Sequence, residues 1–350
     1  MNTSEQFTSQ TPMDTIPHNI SNIMPTSAEI GFLWQSYFAE TMSLCMLKYI
    51  IAKSKDPACK PVFQHALDVS SQRVTSMEDI FNTIKHPIPD AFGEKDVDIN
   101  ASELFSEDYL LTYTKFTNKY ILLHYCQAFA ISTRTDFINF FNECIDTSRQ
   151  INKEAKEVLL AKGLLLKPPY IVIPDKVDYV HNDDYFGSFW GRSKRPLNAL
   201  EVGYLYDKIE SKLVLETLST GLAQVVEDKK VKDHLIRGKE ISNKQIEVLS
   251  SILESDDLPL PSTSNFQITT SRESPFSAKL ILFHSTVVTA FTILSYGLAL
   301  TNSARKDVVA SFGRLIVELL EYSKDGTDLL IERGWLERVP ETADRKKLLQ

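Results

Sequence analysis

Pro25-Thr26-Ser27-Ala28-Glu29-Ile30-Gly31-Phe32-Leu33-Trp34 is met again as Pro196-Leu197-Asn198-Ala199-Leu200-Glu201-Val202-Gly203-Tyr204-Leu205-Tyr206, about 171–172 residues further along the chain. Each copy offers an N-cap residue, Thr26 or Asn198, with a glutamate three positions later, Glu29 or Glu201. That spacing is a capping box, in which the cap side chain and the glutamate satisfy each other's backbone N–H groups at a helix start. Behind the first box, Ile30, Leu33, Tyr37, Leu44 and Ile51 recur at helical intervals. A helix start repeated at a fixed offset reads as a duplicated helical chain.

The offset holds outward from this stretch. His86-Pro87-Ile88-Pro89 falls on Leu258-Pro259-Leu260-Pro261, Phe105-Ser106 on Phe276-Ser277, and Tyr125 on Tyr296. Ser132-Thr133-Arg134-Thr135-Asp136 falls on Ser303-Ala304-Arg305-Lys306-Asp307, and Lys162-Gly163-Leu164 on Arg333-Gly334-Trp335. The patterns predict four helices per repeat: Ala28–Lys53, Pro57–Lys85, Ser106–Ile131 and Thr133–Lys162, then Ala199–Val226, Lys229–Ser255, Ser277–Thr301 and Ala304–Arg333. Ser106 and Ser277 are read as caps of the third helix, with Phe105 and Phe276 stapled to Leu110 and Ile281. Ser132 and Ser303 are read as caps of the fourth, which Gly163 and Gly334 close in a left-handed turn. The Pro-x-Pro pairs open a long crossover after the second helix, the connection of ferritin-like bundles. The expected fold is all-α, two tandem ferritin-like four-helix bundles from an internal duplication. Its parts are a disordered tail over residues 1–24, a first bundle over 25–166, an extended connector over 167–195 and a second bundle with a C-terminal tail over 196–350.

Composition narrows the classes. The 350 residues carry a net charge of −8, which disfavours generic nucleic-acid binding. No apolar run approaches the ~20 residues of a membrane span, the longest lying around Ser285–Leu300. The start of the chain shows no basic segment followed by an apolar one, so a cytoplasmic location is expected. Cys45, Cys59, Cys126 and Cys144 form no CxxC pair and lie in one repeat only, so buried free thiols are expected rather than a disulfide framework.

A ferritin-like bundle invites a search for paired carboxylate and Glu-x-x-His ligands. No glutamate precedes a histidine by three positions, and no metal or cofactor is assigned. Glu40, His65, Asp68 and His124 form a weaker constellation in the first repeat. His124, however, shares its helix face with Thr114 and Thr117, and the second repeat has Ser285, Thr292, Ser295 and Ala299 along the matching face. That reads as a hydroxyl-lined helix seam with one core histidine. His65 and Asp68 become Arg237 and Glu240, as on a solvated face. Arg134/Asp136 and Arg305/Asp307 read as helix-start ion pairs. There is neither a Gly-x-Ser-x-Gly elbow nor a phosphate-binding glycine loop, so no catalytic residue is assigned. Phe186-Gly187-Ser188-Phe189-Trp190-Gly191-Arg192 could supply aromatic anchors for a protein partner.

The runs Phe92-Gly93-Glu94-Lys95-Asp96-Val97, Lys167-Pro168-Pro169-Tyr170-Ile171, Leu235-Ile236-Arg237-Gly238-Lys239-Glu240-Ile241, Asp257-Leu258-Pro259-Leu260-Pro261 and Gly334-Trp335-Leu336-Glu337 resemble the domain of unknown function 3231 family, DUF3231. The resemblance spans roughly Thr26 to Leu349. It implies tandem ferritin-like units and a lineage of endospore-forming bacteria, some of whose members carry a spore-coat label. It transfers no activity and no ligand set. The chain departs from the family pattern at Ala278, where an acidic residue is expected after Phe-Ser. The expected function is therefore a non-enzymatic structural or interaction protein, spore-associated through coat or self contacts. The alternative is a metal- or small-molecule-binding ferritin-like protein that uses the seam around His124.

Overall fold

The computed structural model describes residues 20–187 and 195–349, without the Ser21 side chain. Eight long helices make up the body. The first repeat contributes α1 (Ser27–Lys53), α2 (Lys60–Thr83), α3 (Glu107–Ile131) and α4 (Thr135–Ala161). The second contributes α5 (Ala199–Val225), α6 (Lys229–Glu254), α7 (Ala278–Thr301) and α8 (Lys306–Glu332). A single turn, α9 (Arg345–Leu348), lies beyond them. The described residues hold no strand, only two isolated bridges. The chain is an all-helical duplication.

Both capping boxes form. Thr26 Oγ1 accepts from Glu29 N while a Glu29 carboxylate oxygen accepts from Thr26 N at 2.6 Å, and Asn198 and Glu201 do the same. Each glutamate also reaches a second helix start. Glu29 Oε1 accepts from Thr133 N at 2.7 Å and Arg134 N at 2.8 Å, and Glu201 Oε1 from Ala304 N at 3.0 Å and Arg305 N at 2.8 Å. This corrects the expected caps of the fourth helices. Ser132 and Ser303 donate back to Ala128 O and Ala299 O, and the N-cap positions of the fourth helices are Arg134 and Arg305. A carboxylate accepts several N–H bonds at once, which one hydroxyl cannot match. Gly163 (φ 70°) and Gly334 (φ 66°) close α4 and α8: Leu164 N returns to Leu159 O and Trp335 N to Leu330 O.

Within each repeat α1 pairs with α2 and α3 with α4, as α5 does with α6 and α7 with α8. The crossovers tie the repeats together. Asp98 N donates to Pro275 O and Ser277 N to Asp96 O, while Ser106 N donates to Gln267 O and Thr269 N to Leu104 O. Each crossover thus anchors the start of the other repeat's third helix. Phe105 and Phe276 follow this exchange. The Phe105 ring sits against Tyr109 and the α5 glycine Gly221, and Phe276 meets Tyr49 of α1 edge-on at 5.4 Å. Residues 171 positions apart touch where α3 meets α7: Tyr113 Oη lies 2.6 Å from His284 Nε2, and Tyr120 stacks on Phe291, its own counterpart. Self-opposed positions of this kind mark a pseudo-two-fold axis.

Buried side chains form one continuous cluster from the first repeat into all four helices of the second, α5 to α8, and a smaller one lies at the far end of the second repeat. By length and composition α7 is apolar enough to cross a membrane, and here half of its most apolar stretch is buried against the other helices. Cys45, Cys59 and Cys144 are buried free thiols; Cys126 is free but exposed, contrary to expectation. The connector leaves Tyr170, Val172 and Ile173 largely exposed.

Candidate functional site

The constellation of Glu40, His65, Asp68 and His124 does not converge. Glu40, wholly buried on α1, accepts from Arg73 Nη1 at 2.7 Å and from Tyr125 Oη at 2.5 Å. Arg73 also donates to Cys144 O, Thr147 Oγ1 and Ser148 Oγ on α4. A guanidinium therefore occupies the middle of the first unit, beside its counterion. His65 pairs with Glu154 at 2.7 Å, and Asp68 accepts from Gln64. Among the described residues no three His, Cys, Asp or Glu side chains gather as a metal site. Arg134 and Arg305 form forked ion pairs with Asp136 and Asp307 and also donate to Ile23 O and Arg195 O. They pin each fourth helix to the segment ahead of the first, which gives them an anchoring place in the fold.

His124 lies on the wall of a cavity between the repeats. Trp34 and Phe38 of α1, Ile121 and His124 of α3, and Phe283 and Phe291 of α7 enclose about 300 Å³, closed at one side by Leu336 and Val339 beyond α8. Glu337 fixes that closing segment by accepting from Asp90 N at 3.0 Å and Ala91 N at 2.8 Å. His124 Nε2 is 3.0 Å from Ser36 Oγ, and burial pulls the imidazole down to about 4, so it is neutral at pH 7. Its Nδ1 has no hydrogen-bond partner among the described residues. The cavity is an aromatic box with one neutral imidazole in its wall.

The pseudo-two-fold gives this cavity a counterpart with different chemistry. Between α3, α4 and α5 a space of about 350 Å³ is lined by Lys115, Lys119, Asp207 and Glu210, with Leu165 and Pro168 in the places of Leu336 and Val339. Lys115 pairs with Glu210, and Lys119 with Asp207 at 2.7 Å. Where one side has Phe38 and Ala290, the other has Glu210 and Lys119. The duplicated positions have diverged into an apolar cavity and a charged cleft.

The family model of DUF3231, a protein family of unknown function, matches residues 19–177 and again 186–348. The chain belongs to the DUF3231 family. A solved chain from Bacillus halodurans C-125, described as a "putative spore coat protein", aligns with 43% of this chain and 98% of its own length at 16% identity and a TM-score of 0.41. No curated protein matches.

The expected DUF3231 acid missing at Ala278 is present in the first repeat as Glu107. Its carboxylate accepts from Ser54 Oγ at 2.5 Å and from the backbone of Lys55 and Asp56, tying the end of α1 to the start of α3. The second repeat does without that clasp. Sequence reading placed His124 on a seam but missed Phe283, Phe291 and the closing segment after α8, which reach the cavity only through contact between the repeats. The comparison of Lys119 with Ala290 at matching positions was a sequence signal that could have shown the divergence. Phe189 and Trp190 of the proposed aromatic anchor lie outside the described residues, and so does most of the tail.

Proposed function

We propose that this DUF3231 protein is a non-catalytic binding protein whose inter-repeat cavity takes a small, uncharged, largely apolar molecule bearing one hydrogen-bonding group. The observation that carries the reading is the cavity of about 300 Å³ at His124, within the size range of ligand sites and lined mainly by aromatic and aliphatic side chains. The neutral imidazole offers Nδ1 to the ligand's polar group, and its low pKa disfavours pairing with an acid. Each repeat is read as a ferritin-like bundle, units 25–166 and 196–350 around a connector at 167–195, with polar side chains in place of metal ligands at its centre. A cytoplasmic, spore-associated location accompanies this reading on the strength of the family resemblance. Concentration of a fluorescent fusion at the developing spore supports it; diffuse fluorescence refutes it. For binding, 2-naphthol is a suitable probe, with a two-ring apolar body and one hydroxyl. Trp34 emission is expected to change saturably with the probe, and Ala290→Phe, which fills the cavity from an exposed helix position, is expected to abolish the response. An unchanged response in Ala290→Phe refutes the site.

A further inference from the structure

At the centre of the second unit the polar arrangement of the first is reversed. Lys212 of α5 stands where α1 has Glu40, Gln245 of α6 where α2 has Arg73, and Glu318 of α8 where α4 has Thr147. Gln245 accepts from Tyr296 Oη at 3.0 Å and donates to Glu318 at 3.0 Å, and Glu318 takes Lys244 at 2.6 Å. Lys212 is left out. It is 2% exposed and has no hydrogen bond or ion pair among the described residues; its Nζ lies 5.7 Å from the centroid of the Tyr296 ring.

Lys212 lines a small cavity of about 30 Å³ between α5, α6, α7 and α8. The residues that line the cavity include no acidic side chain to meet an ammonium. Ser242 of α6 is buried, lines the cavity and makes no hydrogen bond among the described residues. His284 of α7, kept neutral by complete burial, shares a hydrogen bond of 2.6 Å at Nε2 with the Tyr113 hydroxyl, and its Nδ1 is buried without a partner. Thr289 and Thr292 direct their hydroxyls to Ser285 O and Val288 O. From α8, Tyr322 bonds to Ser285 and to His234 O, and Glu318 acts on Lys212 only at a distance. A buried ammonium must gain a counterion or shed its proton. The first unit solves this with Glu40 beside Arg73; the second has no covalent equivalent.

We propose that the second unit holds one small monovalent anion of chloride size in this cavity, bound by the Lys212 ammonium and the free Ser242 hydroxyl. About 30 Å³ accommodates roughly two waters, which suits a single-atom halide better than the larger sulfate or phosphate. Burial pulls the Lys212 amine down to about 7, opposed by the charge of Glu318, so the amine of the empty cavity is protonated below that pH and binds a halide there.

Two measurements on the full chain test this. Unfolding midpoints at pH 6 are compared in sodium chloride and in sodium gluconate of equal ionic strength, the gluconate anion being too large for the cavity. Chloride is expected to raise the folding equilibrium constant about tenfold at ten times its Kd. Lys212→Met is expected to abolish the difference between the salts. Crystals grown in sodium bromide are expected to show an anomalous peak beside Lys212 Nζ. Equal midpoints in the two salts, or a cavity without bromide density, overturn the proposal.

Discussion

Arg73 shows what a single side chain decides. It is nine-tenths or more buried, its charge is met by Glu40 at Nη1, and its Nη2 reaches three acceptors on α4, while Nε is buried without a partner. Removing one partner of such a pair leaves the other charged and dry, which costs about 3–5 kcal/mol. Arg73→Met is therefore expected to lower the urea-unfolding free energy by that amount, and the double variant Glu40→Met/Arg73→Met to recover most of it. Lys212 gives a pH signature of opposite kind. Its folded pKa, about 7, lies below the ordinary 10.5, so between those values the unfolded chain binds more protons and stability rises with pH. Below pH 7 the full penalty is present. Denaturation in halide-free buffer is expected to show this rise, and Lys212→Met to remove it. Sequence reading found Glu40 and His124 but gave no reason to single out Arg73 or Lys212. The groups that pair with Arg73, and those that surround the unpaired Lys212, stand on helices tens of residues away, and no local pattern records such a meeting.

At the scale of the helix, the sequence was legible where the determinants are local. The boxes at Thr26 and Asn198 and the glycines at 163 and 334 set helix ends within a few residues of the structure. It was misleading where the determinant comes from elsewhere. Ser132 and Ser303 look like caps, but the acceptors for the fourth helices are Glu29 and Glu201, more than a hundred residues away in sequence. Burial pushes both glutamates up, and their hydrogen bonds more than reverse it: Glu29 is held near 2 by the N–H groups of Thr26, Arg134 and Thr133, and Glu201 near 2 by Arg195 and its own N–H donors. A depressed acid stabilises the fold above its ordinary pKa of 4.5 and ceases to do so as pH falls toward 2. Stability of the wild type is expected to drop over that window, and the drop to shrink in Glu29→Gln, itself less stable at pH 7. Gly221 tests the crossover exchange. A Cβ there would stand 2.3 Å from Phe105 Cε1, so Gly221→Ala is expected to cost about 1–3 kcal/mol, with partial rescue by Phe105→Leu. Full stability of the single variant would mean that Phe105 does not seat on α5.

For the molecule as a whole, duplication was the most legible feature and the arrangement of the copies the least. An offset in sequence says that two units share a fold; it does not say that their crossovers exchange hydrogen bonds or that α3 meets α7 about a pseudo-two-fold. Those contacts create two related spaces, and divergence at a few positions makes one apolar and the other charged. The two sides of the duplicated molecule therefore differ in what they can bind, and the stoichiometry of binding reads that difference. Calorimetric titration of the full chain with 2-naphthol at pH 7 is predicted to give one site per chain, lost in Ala290→Phe and retained in Lys119→Ala on the opposite side. Two equivalent sites, or no saturable heat, would contradict it.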